Sequence, residues 1–368
     1  MLSVLKTILV FFVTLPMLFS SMAEVNMKGD KAYTEKWSAQ KEYTRDYAVE
    51  LEKTPGKDFV ILNITDTQLN DTTAYMKEGE CTFKMLDKLV EETQPDLITV
   101  TGDNGSGYLA YYQIADHLDS YGIPWAPVMG NHDGQGAPSE LWCAKVFLDA
   151  ENCLFKVGPE GMGYGNYVLN ITENGEIIHT LYMMDTHSYT KDVGEEGKIN
   201  GTDYDHVWAN QMEWFRWVNS GIENIAGKKP EATMFVHIPF YEYTLAWAEA
   251  YDEETQQYIA PYADTAYGIN GEAVCSPNAN NGFFDIAKDG GVTEIIAGHD
   301  HRNCSSIVYD GVRLSYGLKS GFGSYWEKDT IGATTITVTS DGKAVSQHIY
   351  MTENDTKFPT GSILGSAC

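Results

Sequence analysis

The sequence predicts an α/β fold built on mixed sheets, and three observations carry that prediction. Apolar, β-rich runs alternate with amphipathic helical stretches for most of the 368 residues. The C-terminal part then turns strand-rich, with two hairpins in succession. No internal repeat, low-complexity tract or linker divides residues 56–350, so one large domain over that span is expected.

The elements follow in order. "DFVILNIT" (58–65) is an apolar strand. "CTFKMLDKLVEET" (81–93) places Phe83, Leu86, Leu89 and Val90 at helical spacing, and Pro95 ends it. "DLITVTG" (96–102) is a strand, "YQIADHLDSYG" (112–122) a helix stopped by Gly122, and "IPWAPVMG" (123–130) a strand. "EIIHTLYMMD" (176–185) is a further strand, followed by an amphipathic helix over 205–221 that begins at a capping Asp205. "ATMFVHIP" (232–239) and "VTEIIAG" (292–298) are strands. Asp310-Gly311 and Asp341-Gly342 mark the turns of hairpins over 305–317 and 333–350.

Composition limits the function. Hydrophobic residues make up 43% and charged residues 21%, an ordinary globular balance. The formal net charge of −27 repels nucleic acid and anionic membranes, so neither is an expected partner. It also slows anionic substrates unless bound cations reverse the local field. Residues 1–23 combine Lys6, an apolar stretch and the small-x-small triplet Ser21-Met22-Ala23, the pattern of a secretory signal peptide; a secreted chain is expected. Residues 24–55 read as a polar lead-in, 56–350 as the main domain and 351–368 as a tail. The six cysteines contain no CxxC pair, which argues against a zinc-thiolate site; Cys143 and Cys153 could close a short disulfide loop. Seven N-x-S/T sequons occur, among them Asn104 and Asn303.

The informative pattern is what ends each strand. Thr65-Asp66-Thr67-Gln68 follows the first, Gly102-Asp103-Asn104 the second and Gly130-Asn131-His132-Asp133 the third. His237 ends the strand from 232, and Gly298-His299-Asp300-His301 ends the strand from 292. Ligands of α/β sheets bind outside the carboxyl ends of strands, so these groups should converge. Any one of them could be a turn or a satisfied core polar group. Together they offer carboxylate, amide oxygen and imidazole with no thiolate, a set suited to two divalent or trivalent cations. A carboxylate-bridged pair roughly 3.5–4 Å apart can activate a water and clamp a phosphoryl group. His299 and His301 would then serve two different metals from one turn.

The series D-x-Q, GD, GNHD, H, GHDH over residues 66–301 resembles the calcineurin-like metallophosphoesterases. "FVHIPFYEY", "NGFFDIAKDGGVTEIIAGHDHRN" and "LSYGLKSGFGSY" are most similar to the short purple-acid-phosphatase-like proteins of plants and fungi. The resemblance implies a four-layer sandwich: two mixed β-sheets packed face to face and flanked by helices. It implies that Asp103 bridges two metal ions (iron, manganese or zinc). Asp66, His301 and Gln68 would complete the first, and Asn131, His237 and His299 would hold the second. His132 would contact the substrate phosphate and protonate the leaving group, with Asp133 orienting it. The implied activity is phosphomonoester hydrolysis by hydroxide generated at the metals. A phosphodiesterase acting on nucleotides or lipid head groups is the alternative, and a non-catalytic metal- or phosphate-binding scaffold a third reading.

This sequence departs from that pattern twice. Many relatives carry His where Gln68 stands, and a neutral amide oxygen binds metal more weakly. The purple enzymes have a tyrosine ligand three residues after the bridging aspartate, where this chain has Ser106, so their colour is not expected. Segments 186–204 and 240–280 are the expected substrate walls, the second rich in Tyr and Trp that either stack on a substrate or pack as a cap. Asp300 and Arg302 orient the site or are simply solvated, and His187 and His206 could line a cleft. Glycans on Asn104 and Asn303 would obstruct the site, so both sequons are expected to be unused.

Overall fold

The computed structural model describes residues 34–135, 138–193, 199–351 and 361–363. Residues 1–23, expected from the sequence to be a signal peptide, lie outside these residues. Two sheets dominate. One has six strands in the order Gly361–Ile363, Ala344–Tyr350, Gly332–Val338, Phe59–Ile64, Leu97–Thr101, Trp125–Val128. The other has seven, in the order Val49–Glu52, Tyr167–Glu173, Glu176–Met183, Glu231–Phe235, Val292–Ala297, Val312–Tyr316, Ser306–Tyr309. Each mixes parallel and antiparallel pairs: Phe59–Ile64 runs parallel to Leu97–Thr101 but antiparallel to Gly332–Val338.

The sheets pack face to face. Ile61, Leu97 and Ala126 from the first share one apolar core with Leu169, Leu181, Met183, Phe235 and Ile296 from the second. Helices Lys77–Thr93, Tyr108–Ser120 and Glu140–Asp149 cover the outer face of the six-stranded sheet through Met85, Leu89, Ile114, Leu118 and Phe147. Helices Ala209–Ala226, Tyr241–Ala250 and Phe283–Asp289 cover the seven-stranded sheet through Trp214, Val218, Tyr243 and Phe283. This is the four-layer sandwich. Sheets buried on both faces explain why strands such as Leu97–Thr101, buried at all five positions, read as continuous apolar runs.

Several boundaries differ from the sequence reading. The helix expected from 81 starts at Lys77, and that expected from 112 starts at Tyr108. The helix expected from Asp205 starts at Ala209: Gln211 Oε1 accepts from Trp208 N at 2.6 Å, while Asp205 spends its carboxylate on His206 N and Trp208 Nε1. Strand Val49–Glu52, inside the supposed lead-in, pairs with Tyr167–Glu173, and Gly361–Ile363, inside the supposed tail, pairs with Ala344–Tyr350. Short edge strands carry too little periodicity to stand out. Cys143 and Cys153 are both free, contrary to the suggested pairing; Cys143 lies in the core and Cys153 is partly buried against it. Cys81 is disulfide-bonded.

Candidate metal centre

Three adjacent parallel strands of the six-stranded sheet, Phe59–Ile64, Leu97–Thr101 and Trp125–Val128, deliver Asp66, Asp103 and Asn131 just past their carboxyl ends. Two adjacent parallel strands of the other sheet, Glu231–Phe235 and Val292–Ala297, deliver His237, His299 and His301. The site sits where these ends meet. Backbone bonds tie neighbouring strand ends within each sheet, Asp66 N to Gly102 O and Gly298 N to His237 O at 3.1 Å each, and His299 N donates across the seam to Asp66 Oδ2 at 3.0 Å. The motif glycines follow from this crowding. A Cβ on Gly130 would lie 2.2 Å from Asp103 N, and one on Gly298 would lie 2.3 Å from Thr65 Oγ1. Asp66, Gln68, Asp103 and His299 have φ of +54°, +43°, +48° and +78°. Left-handed backbone at non-glycine residues costs on the order of 1–3 kcal/mol each and collects at functional sites.

Two histidines carry the decisive geometry. His237 Nδ1 lies 2.8 Å from Thr101 O, and His301 Nδ1 lies 2.8 Å from Tyr325 O. A carbonyl only accepts, so each Nδ1 holds a proton and a neutral ring turns its Nε2 lone pair inward. His237 Nε2 then faces Asn131 Oδ1 at 2.9 Å and Asp103 Oδ1 at 3.3 Å. His301 Nε2 faces Asp66 Oδ1 at 3.3 Å. Asn131 is turned the same way, since its Nδ2 donates to Tyr189 OH at 3.1 Å. Acceptors thus face acceptors in a buried space, an arrangement that a cation reconciles. A proton on His237 can stand in. Burial opposes that charge, but Asp103 overrides it and pushes the imidazole up to about 10. Burial also opposes ionisation of Asp103, and His237 overrides that in turn, holding the carboxyl far below its usual range.

Other buried atoms are left over. Asp66 Oδ1, Gln68 Oε1 and His299 Nε2 have no hydrogen-bond partner. Burial, then the neighbouring His237, lowers His299 to about 3, so it is a neutral ring suited to ligation. Ligand atoms of Asp66, Asp103 and His237 all lie within 4.8 Å of one another. The donor set therefore fits bound cations. Asp66, Gln68 and His301 would hold one, Asn131, His237 and His299 another, and Asp103 lies between, its Oδ1 toward His237 and its Oδ2 toward Gln68.

His132 is placed differently. Its side chain is 45% exposed, its Nε2 lies 4.0 Å from Asp103 Oδ2, and its Nδ1 is 2.8 Å from Gln135 Oε1. The structure does not bring Asp133 to it. The buried Asp133 carboxylate accepts from Gly130 N, Asn104 N, Asn104 Nδ2 and Tyr111 OH, and so ties the strand-end loops together. Burial, then Asp103, raises it to about 6. Gln135, three residues on from His132, is the residue that orients the ring.

Other residues were missed or read incompletely. Lys319, fully buried, donates from Nζ to Asp66 O at 2.6 Å. Tyr204 stands edge-on to His299 at 4.5 Å and stacks on Tyr189 at 5.4 Å, so the hairpin of Tyr189–Val193 and Ile199–Tyr204 walls the site. Segment 186–204 was expected to do so, but nothing in the sequence singles out these two tyrosines. Asp300 is not solvated: it is buried and accepts from Tyr316 OH and Cys275 N. His187 is taken up by Gln211 and by stacking on Trp208, and His206 lies on a small cavity beside Asp205. Asn104 and Asn303 are buried and bonded to Asp133 and Asp300, which leaves no room for glycans.

Residues 59–303 match the family described as calcineurin-like phosphoesterase. The chain belongs to that family. It is 28% identical over 271 residues to "Probable inactive purple acid phosphatase 14" of Arabidopsis thaliana, covering 66% of this chain and 63% of that protein. It is 25% identical over 281 residues to "Phosphatase DCR2" of Saccharomyces cerevisiae, covering 70% of this chain and 46% of that protein. The chain thus spans less than two-thirds of the length of either relative. The solved purple acid phosphatase PPD1 of yellow lupin (Lupinus luteus) overlays on 83% of this chain and 54% of its own, with 12% identity and a TM-score of 0.49. Within that family the chain is similar to proteins named as purple acid phosphatases.

Proposed function

We propose that this phosphoesterase is an exported, metal-dependent phosphomonoesterase acting on small phosphorylated molecules. The observation that supports it most is the paired pinning of His237 and His301, whose Nδ1 atoms are held by backbone carbonyls and whose Nε2 atoms face buried carboxylates. Two cations in these seats would supply positive charge for the phosphoryl oxygens and an activated water. Export rests on the apolar N-terminal stretch behind Lys6.

The chain's own residues supply the rest. Asp103 serves both half-sites because its two oxygens face opposite sets of partners. His132 opens to solvent beside it, within reach of a substrate oxygen. In the protonated ring, Nδ1–H stays on Gln135 and Nε2–H is the proton available to the leaving oxygen. Tyr189 and Tyr204 form an aromatic wall against which the organic part of a substrate can rest.

Two observations favour other readings. The word "inactive" in the name of the Arabidopsis relative, together with Gln68, favours a non-catalytic scaffold. The Tyr189–Tyr204 stack would also suit the base of a nucleotide diester. The test is turnover of an aryl phosphomonoester beside its diester, with iron, manganese and zinc supplied in turn, for the wild type and Asp103→Asn. Monoester preference that is lost in a folded Asp103→Asn variant supports the proposal. Diester preference selects the second enzyme, and no turnover with any metal selects the scaffold. Near-normal turnover of Asp103→Asn overturns the assignment of that residue to both half-sites.

A further inference from the structure

The segment from Lys319 to Tyr325 runs past the first half-site and lies against all three of its residues. Lys319 Nζ donates to Asp66 O at 2.6 Å. Gly323 is packed so closely that a Cβ there would lie 2.2 Å from Gln68 O. Tyr325 O holds His301 Nδ1 at 2.8 Å. The segment lies beyond residues 59–303, the span that matches the family, and it ends the stretch "LSYGLKSGFGSY".

Lys319 is the buried end of this strap. Its backbone bridges to Thr65 and to Ile331, and Ser320 N donates to Thr65 O at 2.8 Å. Its side chain is fully buried. Burying an ammonium is costly, and the carboxylates of Asp66, Asp103 and Glu272 offset part of that cost. Among the described residues no other donor reaches Asp66 O. That carbonyl belongs to the peptide between Asp66 and Thr67. A fixed oxygen forbids the peptide flip that would re-aim the side chains on either side of it. Asp66 and Gln68 are both left-handed, at φ of +54° and +43°, and backbone in that region relaxes unless its surroundings over-determine it. Gln68 N donates to Asp103 O at 3.1 Å and fixes the far end of the turn; Lys319 fixes the near end.

We propose that Lys319 is a positioning residue for the first cation, the anchor of a Lys319–Tyr325 strap that holds Asp66, Gln68 and His301 in place. The second half-site is oriented from elsewhere: Asn131 by Tyr189 OH and His237 by Thr101 O. Loss of the strap should therefore be felt at one ion. The charge of Lys319 works in the other direction, because it repels a nearby cation, so removing charge alone would tighten metal binding. Anchor and charge thus predict opposite signs. The inference rests on the two cation seats and not on the phosphomonoesterase reading.

The test loads the full chain with manganese, follows it by electron paramagnetic resonance and measures affinity by competition with a chromophoric chelator. Two ions bridged by Asp103 couple magnetically, whereas a single ion gives an uncoupled spectrum. The wild type should bind two coupled ions. Lys319→Met, with an unchanged circular dichroism spectrum, should weaken one of them at least roughly tenfold and leave the other uncoupled. On a Gln68→Leu background, which already lacks the first ion, the same change should do nothing further. Gly323→Ala, which pushes the strap off Gln68 without altering Lys319, should also release one ion. If Lys319→Met does not fold, retention of both ions by Gly323→Ala overturns the strap. The inference is also overturned if a folded Lys319→Met keeps both ions at wild-type affinity, binds them more tightly or loses both together. Fewer than two ions on the wild type would overturn the seats themselves, and this inference with them.

Discussion

Gln68 donates its Nε2 to Oδ2 of Asp103 at 2.5 Å and keeps its own Oε1 buried without a partner. An amide has one donor end and one acceptor end. With the donor spent on the carboxylate, the acceptor is what remains for a cation. Gln68→Leu should release the first metal, while Gln68→His should tighten it by roughly tenfold, since imidazole is the better ligand. Metal content after dialysis against a graded chelator reads both effects. Unchanged retention in Gln68→Leu would remove Gln68 from the ligand set.

Tyr189 acts one step further out. Its hydroxyl accepts from Asn131 Nδ2 and so aims Asn131 Oδ1 inward at His237. Tyr189→Phe frees the amide to rotate. Loss of such an outer partner typically costs on the order of 10–100-fold in metal affinity. Affinity measured by competition with a chromophoric chelator should fall within that range, with an unchanged circular dichroism spectrum. Equal affinity would mean that the contact does not position Asn131.

Asp133 distinguishes a structural anchor from an orienting group. Its carboxylate accepts from Gly130, Asn104 and Tyr111, and makes no bond to His132. Asp133→Asn turns a donor toward donors and should cost about 3 kcal/mol in urea unfolding. Gln135→Leu, which frees His132 and also removes the bond from Gln135 Nε2 to Asn131 O, should cost no more than about 1 kcal/mol and lower turnover most for poor leaving groups. The reverse pattern would restore Asp133 as the residue that orients His132.

Acid stability should depend on two histidines away from the donor set. Burial lowers His179 and His348 each to about 4, against an ordinary value of 6.5. The folded state keeps both rings neutral, whereas the unfolded chain protonates them. Their contribution is therefore complete above pH 6.5 and is lost as pH falls toward 4. Urea midpoints measured at half-unit steps should drop through that window, and His179→Gln should flatten part of the fall. A midpoint that stays level from pH 7 to 4.5 would contradict it.

The two sheets and the gathering of polar groups at one edge were legible because both follow from local rules. Strands buried on both faces produce apolar runs, and a chain that must turn sharply at their ends places Gly beside Asp, Asn or His. The short strands Val49–Glu52 and Gly361–Ile363 were not legible, because a few residues pairing at a sheet edge carry no period. The family resemblance also assigned Asp133 to orient His132. In the fold the Asp133 carboxylate is taken by Gly130, Asn104 and Tyr111, and the His132 ring finds Gln135 instead.

Sequence alone was enough to establish which chemical groups this protein brings together. Type and order along the chain suffice for that when each group follows a strand of a sheet whose carboxyl ends share one edge. Tertiary structure alone decided which atom of each group faces the centre. Thr101 O, Tyr325 O and Tyr189 OH turn His237, His301 and Asn131 inward. Two of these three partners lie tens of residues away in sequence from the group they orient, and the third, His237 to Thr101, spans 136. A hydrogen bond is directional and short, so only the packed fold can specify it.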